Sequence, residues 1–169
     1  VTPYVRGAAR HLGDPGFLAH MDPPTPAISW VMALLAASSN QNLLHPDTAP
    51  AARDLEETVI RWLAPQFSMA GGHLVPGSTV ANLTALWAAR DLTGATTVVA
   101  SNDSHLSIRK AAAILGLDYR SIDVADKPTG EPRRSVSAQD LDTLFASTAD
   151  PLDPSKTVLV LTAGTTGIG

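Results

Sequence analysis

Cysteine is absent from the 169 residues, which excludes disulfides, thiolate metal ligands and a cysteine nucleophile. Positive charge is in deficit. With 12 Lys+Arg against 16 Asp+Glu, the net charge of -4 argues against gripping nucleic acid or anionic lipid by charge alone. Long apolar runs are missing too. The best, from Val31 to Ala37, falls far short of the roughly 20 residues that a membrane-spanning helix needs. No signal-peptide pattern precedes the first structured region. His11, His20, His45 and His73 show no pair spacing for a metal, and a His-Glu-x-x-His pattern does not occur. We therefore assign no metal, no nucleic acid and no membrane, and expect a cytoplasmic protein. What remains is a chain that is 44% apolar, ample for a packed core and far from a disordered composition.

Residues 1–27 carry Pro3, Pro15, Pro23, Pro24 and Pro26 with several glycines, and are expected to be mostly irregular. Ile28 to Ala37 reads as a buried helix. A second helix is predicted over Ala51 to Ala64, with Leu55, Val59, Trp62 and Leu63 forming one apolar stripe. From Gly77 the pattern changes. A strong helix is predicted over Val80 to Leu92, ended by Gly94, then a β-branched strand over Thr96 to Ala100. A helix over Leu106 to Leu115 stops at Gly116. A strand over Tyr119 to Val124 follows, then a solvated loop. Ser137-Ala138-Gln139-Asp140 resembles a capping box that opens a short helix. Thr157 to Thr162 is a strand apolar on both faces. Strand and helix alternate, so the class is α/β, with parallel strands covered by helices on two sides. The expected organisation is an N-terminal helical or interface segment, 1–64, and the first part of a larger domain, 65–169. The chain opens on Val1 rather than Met and closes on a glycine-rich loop directly after a strand, so a piece of a longer protein is expected.

Two places invite chemistry. Gly77-Ser78-Thr79 stands at the entry to an uninterrupted helix, where free N–H groups and the positive dipole end attract an anion and two hydroxyls add donors. A bound phosphate is one reading; an ordinary Ser or Thr N-cap is the other. His105 follows the first parallel strand, at the carboxyl edge where open α/β sheets bind ligands. It is placed either to stack on a planar ligand or exchange a proton, or to cap the next helix.

Four stretches, in this order, resemble the group II pyridoxal-5′-phosphate-dependent decarboxylases, which include the aromatic amino acid, glutamate and diaminobutyrate enzymes. They are Pro24 to Ala27 with the helix after it and Asn40-Gln41-Asn42; Gly72 to Leu86, similar to the family's glycine-rich phosphate segment; Ser101 to Ala112; and Leu161 to Gly167. The resemblance implies the fold-type I architecture, here a partial large domain with a mainly parallel sheet flanked by helices. It implies that Ser78 and Thr79 hold the phosphate of pyridoxal 5′-phosphate, that His105 stacks on the pyridine ring, and that Thr166 lies close to the cofactor. Ser78 stands where the family usually has a second glycine, and Val80 where it has an acidic residue. Asn82 matches a common family residue, with a packing or capping role as open as ligand contact.

The activity implied is decarboxylation of an amino acid. The lysine to which the family attaches its cofactor would lie beyond Gly169, so this chain alone is expected to be inactive. Lys110, Lys127 and Lys156 sit in surface-like settings. The family pattern further implies a homodimer, or a companion chain carrying the lysine. Two alternatives stand beside this reading. One is another fold-type I reaction, such as a carbon–carbon lyase or transaminase-like chemistry. The other is a non-catalytic relative that binds only a phosphate ligand or a partner chain.

Overall fold

The structure, a computed structural model, describes residues 1–18, 23–45, 47–124, 136–149 and 151–163. The chain divides into two compact units, Val1–His73 and Leu74–Gly169.

Among its described residues the first unit holds three α-helices. Helix α1, Thr2–Ala8, is the one regular element before Ala27 among the described residues, in a stretch otherwise irregular as expected. Pro3 sits in its first turn, where the missing N–H costs nothing and the fixed φ favours the helix. Helix α2, Ala27–Ser39, follows Pro26 and ends at Asn40 in the left-handed region. It was expected to be buried, yet Trp30 is 66% and Leu34 73% exposed. Its apolar residues run all the way round, and such a pattern contains no signal of which side, if any, is covered. Helix α3, Pro50–Leu63, runs into a 3₁₀ turn at Ala64–Phe67. Its expected stripe is also corrected, because Leu55 and Trp62 are exposed. The packed side carries Ile60, whose side chain lies 3.6 Å from where a Cβ at Gly72 would stand, and Glu56, whose carboxylate lies 2.9 Å from His73 Nδ1.

The second unit is the α/β part. Helix α4, Ser78–Thr93, ends at Gly94 (φ 65°), and strand β1, Thr97–Ser101, follows at once. Helix α5, Leu106–Leu115, ends at Gly116 (φ 68°) and leads into strand β2, Asp118–Ile122. Helix α6, Ala138–Phe145, opens with the capping box expected from the sequence. The Ser137 N–H donates to Asp140 Oδ2 at 2.7 Å, and the Asp140 N–H to Ser137 Oγ at 3.3 Å. Strand β3, Thr157–Val160, is the third strand among the described residues and is two residues shorter than predicted.

All pairing is parallel in the order β2-β1-β3. Thr97 to Ser101 face Asp118 to Ile122 on one side, and Thr97 to Ala100 face Thr157 to Val160 on the other. Every residue of β1 is buried, as its central position and β-branched composition require. The core gathers Leu86 from α4, Val98 and Ala100 from β1, Ile108, Ala111 and Ala112 from α5, and Leu117. Ala111 and Ala112 are small enough for α5 to lie close on its neighbours. β3 is half-buried throughout rather than covered on both faces.

The start of β3 yields a pH prediction. Asp153 accepts the Ser155 hydroxyl at 2.7 Å and the Ser155 N–H at 2.9 Å, and caps the 3₁₀ turn Pro154–Lys156. The hydroxyl bond first, then the amide bond and nearby Lys156, hold its carboxyl below the ordinary aspartate value of 3.8. A carboxyl depressed on folding contributes stability that is complete above its unfolded pKa and lost as pH falls through the folded one. The protection of the Ser155 amide, its exchange rate relative to that of a free amide at the same pH, is therefore expected to fall on acidification below the ordinary aspartate range. In Asp153→Asn that step should be absent.

Candidate cofactor site

Topology brings two helix starts to one place. Helix α4 ends where β1 begins, and α5 begins where β1 ends, so both N-termini lie at the carboxyl edge of the sheet. Two hydrogen bonds tie the helices together. Asn82 Nδ2 donates to Ser107 Oγ at 2.7 Å near that edge, and Arg90 Nη1 donates to the Leu115 carbonyl at 3.1 Å at the far end. Residues 82 and 90, like 107 and 115, are eight apart. The helices therefore run side by side in parallel, with about 12 Å between the links. Arg90 also places a cation at the negative end of α5.

At the α4 start, the N-cap is Gly77, not Ser78 or Thr79, and among the described residues no side chain caps the helix. Gly77 has φ 131° and ψ 163°, a conformation essentially reserved for glycine. Its own N–H donates to the Val75 carbonyl at 2.8 Å, and the first bond of the helix is Ala81 N–H to the Gly77 carbonyl at 3.0 Å. The N–H groups of Ser78, Thr79 and Val80 have no acceptor among the described residues. Three donors and two uncommitted hydroxyls, at the positive end of a 16-residue helix, make a donor set suited to a phosphate.

At the α5 start, His105 is the N-cap. Its Nδ1 accepts the Ser107 N–H at 3.2 Å and lies 2.8 Å from Ser107 Oγ. The imidazole is exposed and lines a cavity of about 230 Å³ with Asn102, Ser104, Arg109, Tyr119 and Ser121. Ser78 and Thr79 do not line this cavity. What joins them to His105 is the Asn82–Ser107 bond, one helical turn beyond Thr79. Thr166 lies outside the described residues.

Three contributors were not singled out for these roles from sequence. Ser107 links the two helices, Gly77 sets the α4 start, and Asn102 braces the exit of β1. Asn102 does so by donating from Nδ2 to Asp123 at 3.0 Å and accepting the Val124 N–H at 3.3 Å. An asparagine directly after a buried strand is a turn signal that pointed to this bracing.

Residues 4–149 match the model of the pyridoxal-dependent decarboxylase conserved domain. The chain belongs to this family. It is 31% identical over 166 residues to L-2,4-diaminobutyrate decarboxylase of Rhizobium meliloti, covering 94% of this chain and 33% of that protein. It is 40% identical over 87 residues to a probable L-tyrosine/L-aspartate decarboxylase of Methanothermobacter thermautotrophicus, covering 49% of this chain and 24% of that one. The chain thus spans about a third or less of the length of these curated relatives. The fold matches Oryza sativa TDC, solved with PLP and tryptamine, at a TM-score of 0.60 and 23% identity, over 72% of this chain and 29% of that one. Rhodiola rosea 4-hydroxyphenylacetaldehyde synthase matches equally, at a TM-score of 0.60 and 23% identity, over 72% and 30%. The cofactor of the family is pyridoxal 5′-phosphate, and the free donors at the α4 start suit its phosphate. Among the described residues, no helix is long and apolar enough to cross a membrane.

Proposed function

We propose that this chain is the part of a pyridoxal-5′-phosphate-dependent amino acid decarboxylase that supplies the cofactor's phosphate clamp and ring-stacking histidine. The observation that carries the reading is the joining, through Asn82 and Ser107, of an α4 start whose three N–H groups have no acceptor among the described residues to the His105 cap of α5. The Ser78, Thr79 and Val80 N–H groups and the two hydroxyls hold the phosphate dianion. His105 offers one face of its ring to the flat pyridine. Bound there, the cofactor supplies an electron sink for the pair left behind when carbon dioxide departs.

A lysine to anchor the cofactor is not offered at this edge by the described residues. Lys156 accepts the Thr96 N–H through its backbone carbonyl, at the opposite edge of the sheet, and Lys110 lies on the exposed side of α5. Lys127 is outside the described residues. The remainder of a longer protein, or a companion chain, would supply the lysine, and this chain alone would not turn over an amino acid.

In a second reading the same clamp serves another fold-type I reaction, since the fold is shared equally with the Rhodiola rosea synthase and the rice protein. The clamp is tested by titrating the chain with pyridoxal 5′-phosphate, with pyridoxal and with inorganic phosphate. Pyridoxal 5′-phosphate is expected to bind and phosphate to compete. Thr79→Val is expected to weaken binding about 10- to 100-fold, the value of one hydrogen bond to a charged group at about 1.5–3 kcal/mol. Equal affinity for phosphate-free pyridoxal would overturn the clamp. Carbon dioxide release from an amino acid together with the matching amine, by the full-length protein and not by this chain, would separate decarboxylation from the second reading.

A further inference from the structure

The hydrogen bonds at the α5 start have a direction. A backbone N–H only donates, so the Ser107 amide makes His105 Nδ1 an acceptor. The Asn82 amide nitrogen also only donates, so Ser107 Oγ accepts from it and keeps its own proton to give. The nearest acceptor for that proton is the same Nδ1, at 2.8 Å. Ser107 is 2% exposed, so water does not compete for its hydroxyl. The chain of donors therefore runs one way, from Asn82 through Ser107 to His105.

We propose that Asn82 and Ser107 are positioning residues that fix the ring plane of His105 and confine its proton to Nε2. With two donors converging on Nδ1, rotating the ring would break both bonds and uncap α5. The neutral imidazole is held as the Nε2–H tautomer, with one defined donor left for whatever lies against it. This proposal rests on the reading of His105 as the residue against the cofactor for its purpose, though not for its test. Because Asn82 stands on the helix whose first turn carries the clamp, the phosphate donors and the imidazole are set by one rigid pair of helices.

The test is a long-range ¹H–¹⁵N correlation spectrum of the histidine-labelled full chain, at a pH where the ring is neutral and without cofactor. His105 is expected to show a single Nε2–H signature, assigned by its loss in His105→Asn. Ser107→Ala is expected to blur that signature into a mixture of tautomers. Asn82→Asp is the sharper variant, because it keeps shape and packing but reverses the polarity. A carboxylate at 82 takes the Ser107 hydroxyl hydrogen bond, turning Oγ into an acceptor for His105, so only the Ser107 N–H still favours a bare Nδ1 and the Nδ1–H form is expected to grow in as that amide bond loosens. A wild-type ring protonated at Nδ1, or an Asn82→Asp spectrum identical to wild type, would overturn the proposal. Failure to bind pyridoxal 5′-phosphate would instead remove the proposed function and leave the tautomer result standing.

Discussion

Gly77→Ala is expected to destabilise the chain by about 1–3 kcal/mol and to abolish tight binding of pyridoxal 5′-phosphate. The cost does not come from a clash. A Cβ built at Gly77 meets no atom within 4 Å, so the entire penalty is conformational, from φ 131° and ψ 163°. An L residue there escapes strain only by rotating the backbone, and that rotation re-aims the Ser78 and Thr79 N–H groups. Stability and phosphate affinity should therefore fall together. Gly116→Ala is the control. Gly116 also has positive φ and open space around its Cα, but it ends α5 at the opposite end from the clamp. Its substitution is expected to cost about 1–2 kcal/mol and to leave cofactor affinity unchanged. Urea unfolding midpoints set beside cofactor titrations for the two variants check this. Equal affinity losses would show that general destabilisation, not the geometry at Gly77, governs binding.

The second unit was legible in the sequence because its local signals agree with its tertiary context. Gly94 and Gly116 mark helix ends and take the left-handed conformation expected of them, and α5 begins and ends at the predicted residues. The β-branched run after Gly94 becomes the buried central strand. The first unit was less legible, for physical reasons. In α2 the apolar residues carry no periodicity to say which side is covered, and in α3 the amphipathic stripe names a face that stays exposed. Pro3 looked like a breaker, although in a first turn it favours a helix. Within the site, both candidate segments were visible, but not what connects them. Whether His105 stacks or caps was open from sequence. The structure shows a cap made through one ring nitrogen, which leaves the face of the ring uncommitted. The Asn82–Ser107 bond joins residues 25 apart in the chain, and no local pattern encodes that pairing.

Leu86→Ala is expected to be the most damaging single truncation of an α4 residue, at about 2–5 kcal/mol, a large share of the 5–15 kcal/mol that holds a typical domain. Leu86 is 3% exposed and is the one residue of α4 that is buried. It lies four residues after Asn82 and four before Arg90, so the three form one stripe on α4. Ser107, Ala111 and Leu115 repeat the same spacing on α5. The seam is thus a hydrogen bond, a pair of buried apolar residues from one core cluster and a second hydrogen bond, each about one turn apart. Removing the leucine leaves a void between two polar links whose geometry depends on the close approach it maintains. The damage should therefore reach the His105 cap as well as the global midpoint. Ala111→Leu tests the same seam from the other side, and overpacking there is expected to cost about 1–3 kcal/mol. Combined, the two substitutions restore the total volume, so the double variant should be less destabilised than the sum of the singles. Simple additivity in denaturant unfolding would mean that Leu86 and Ala111 do not pack on one another, and that the hydrogen bonds alone set the spacing of the two helices.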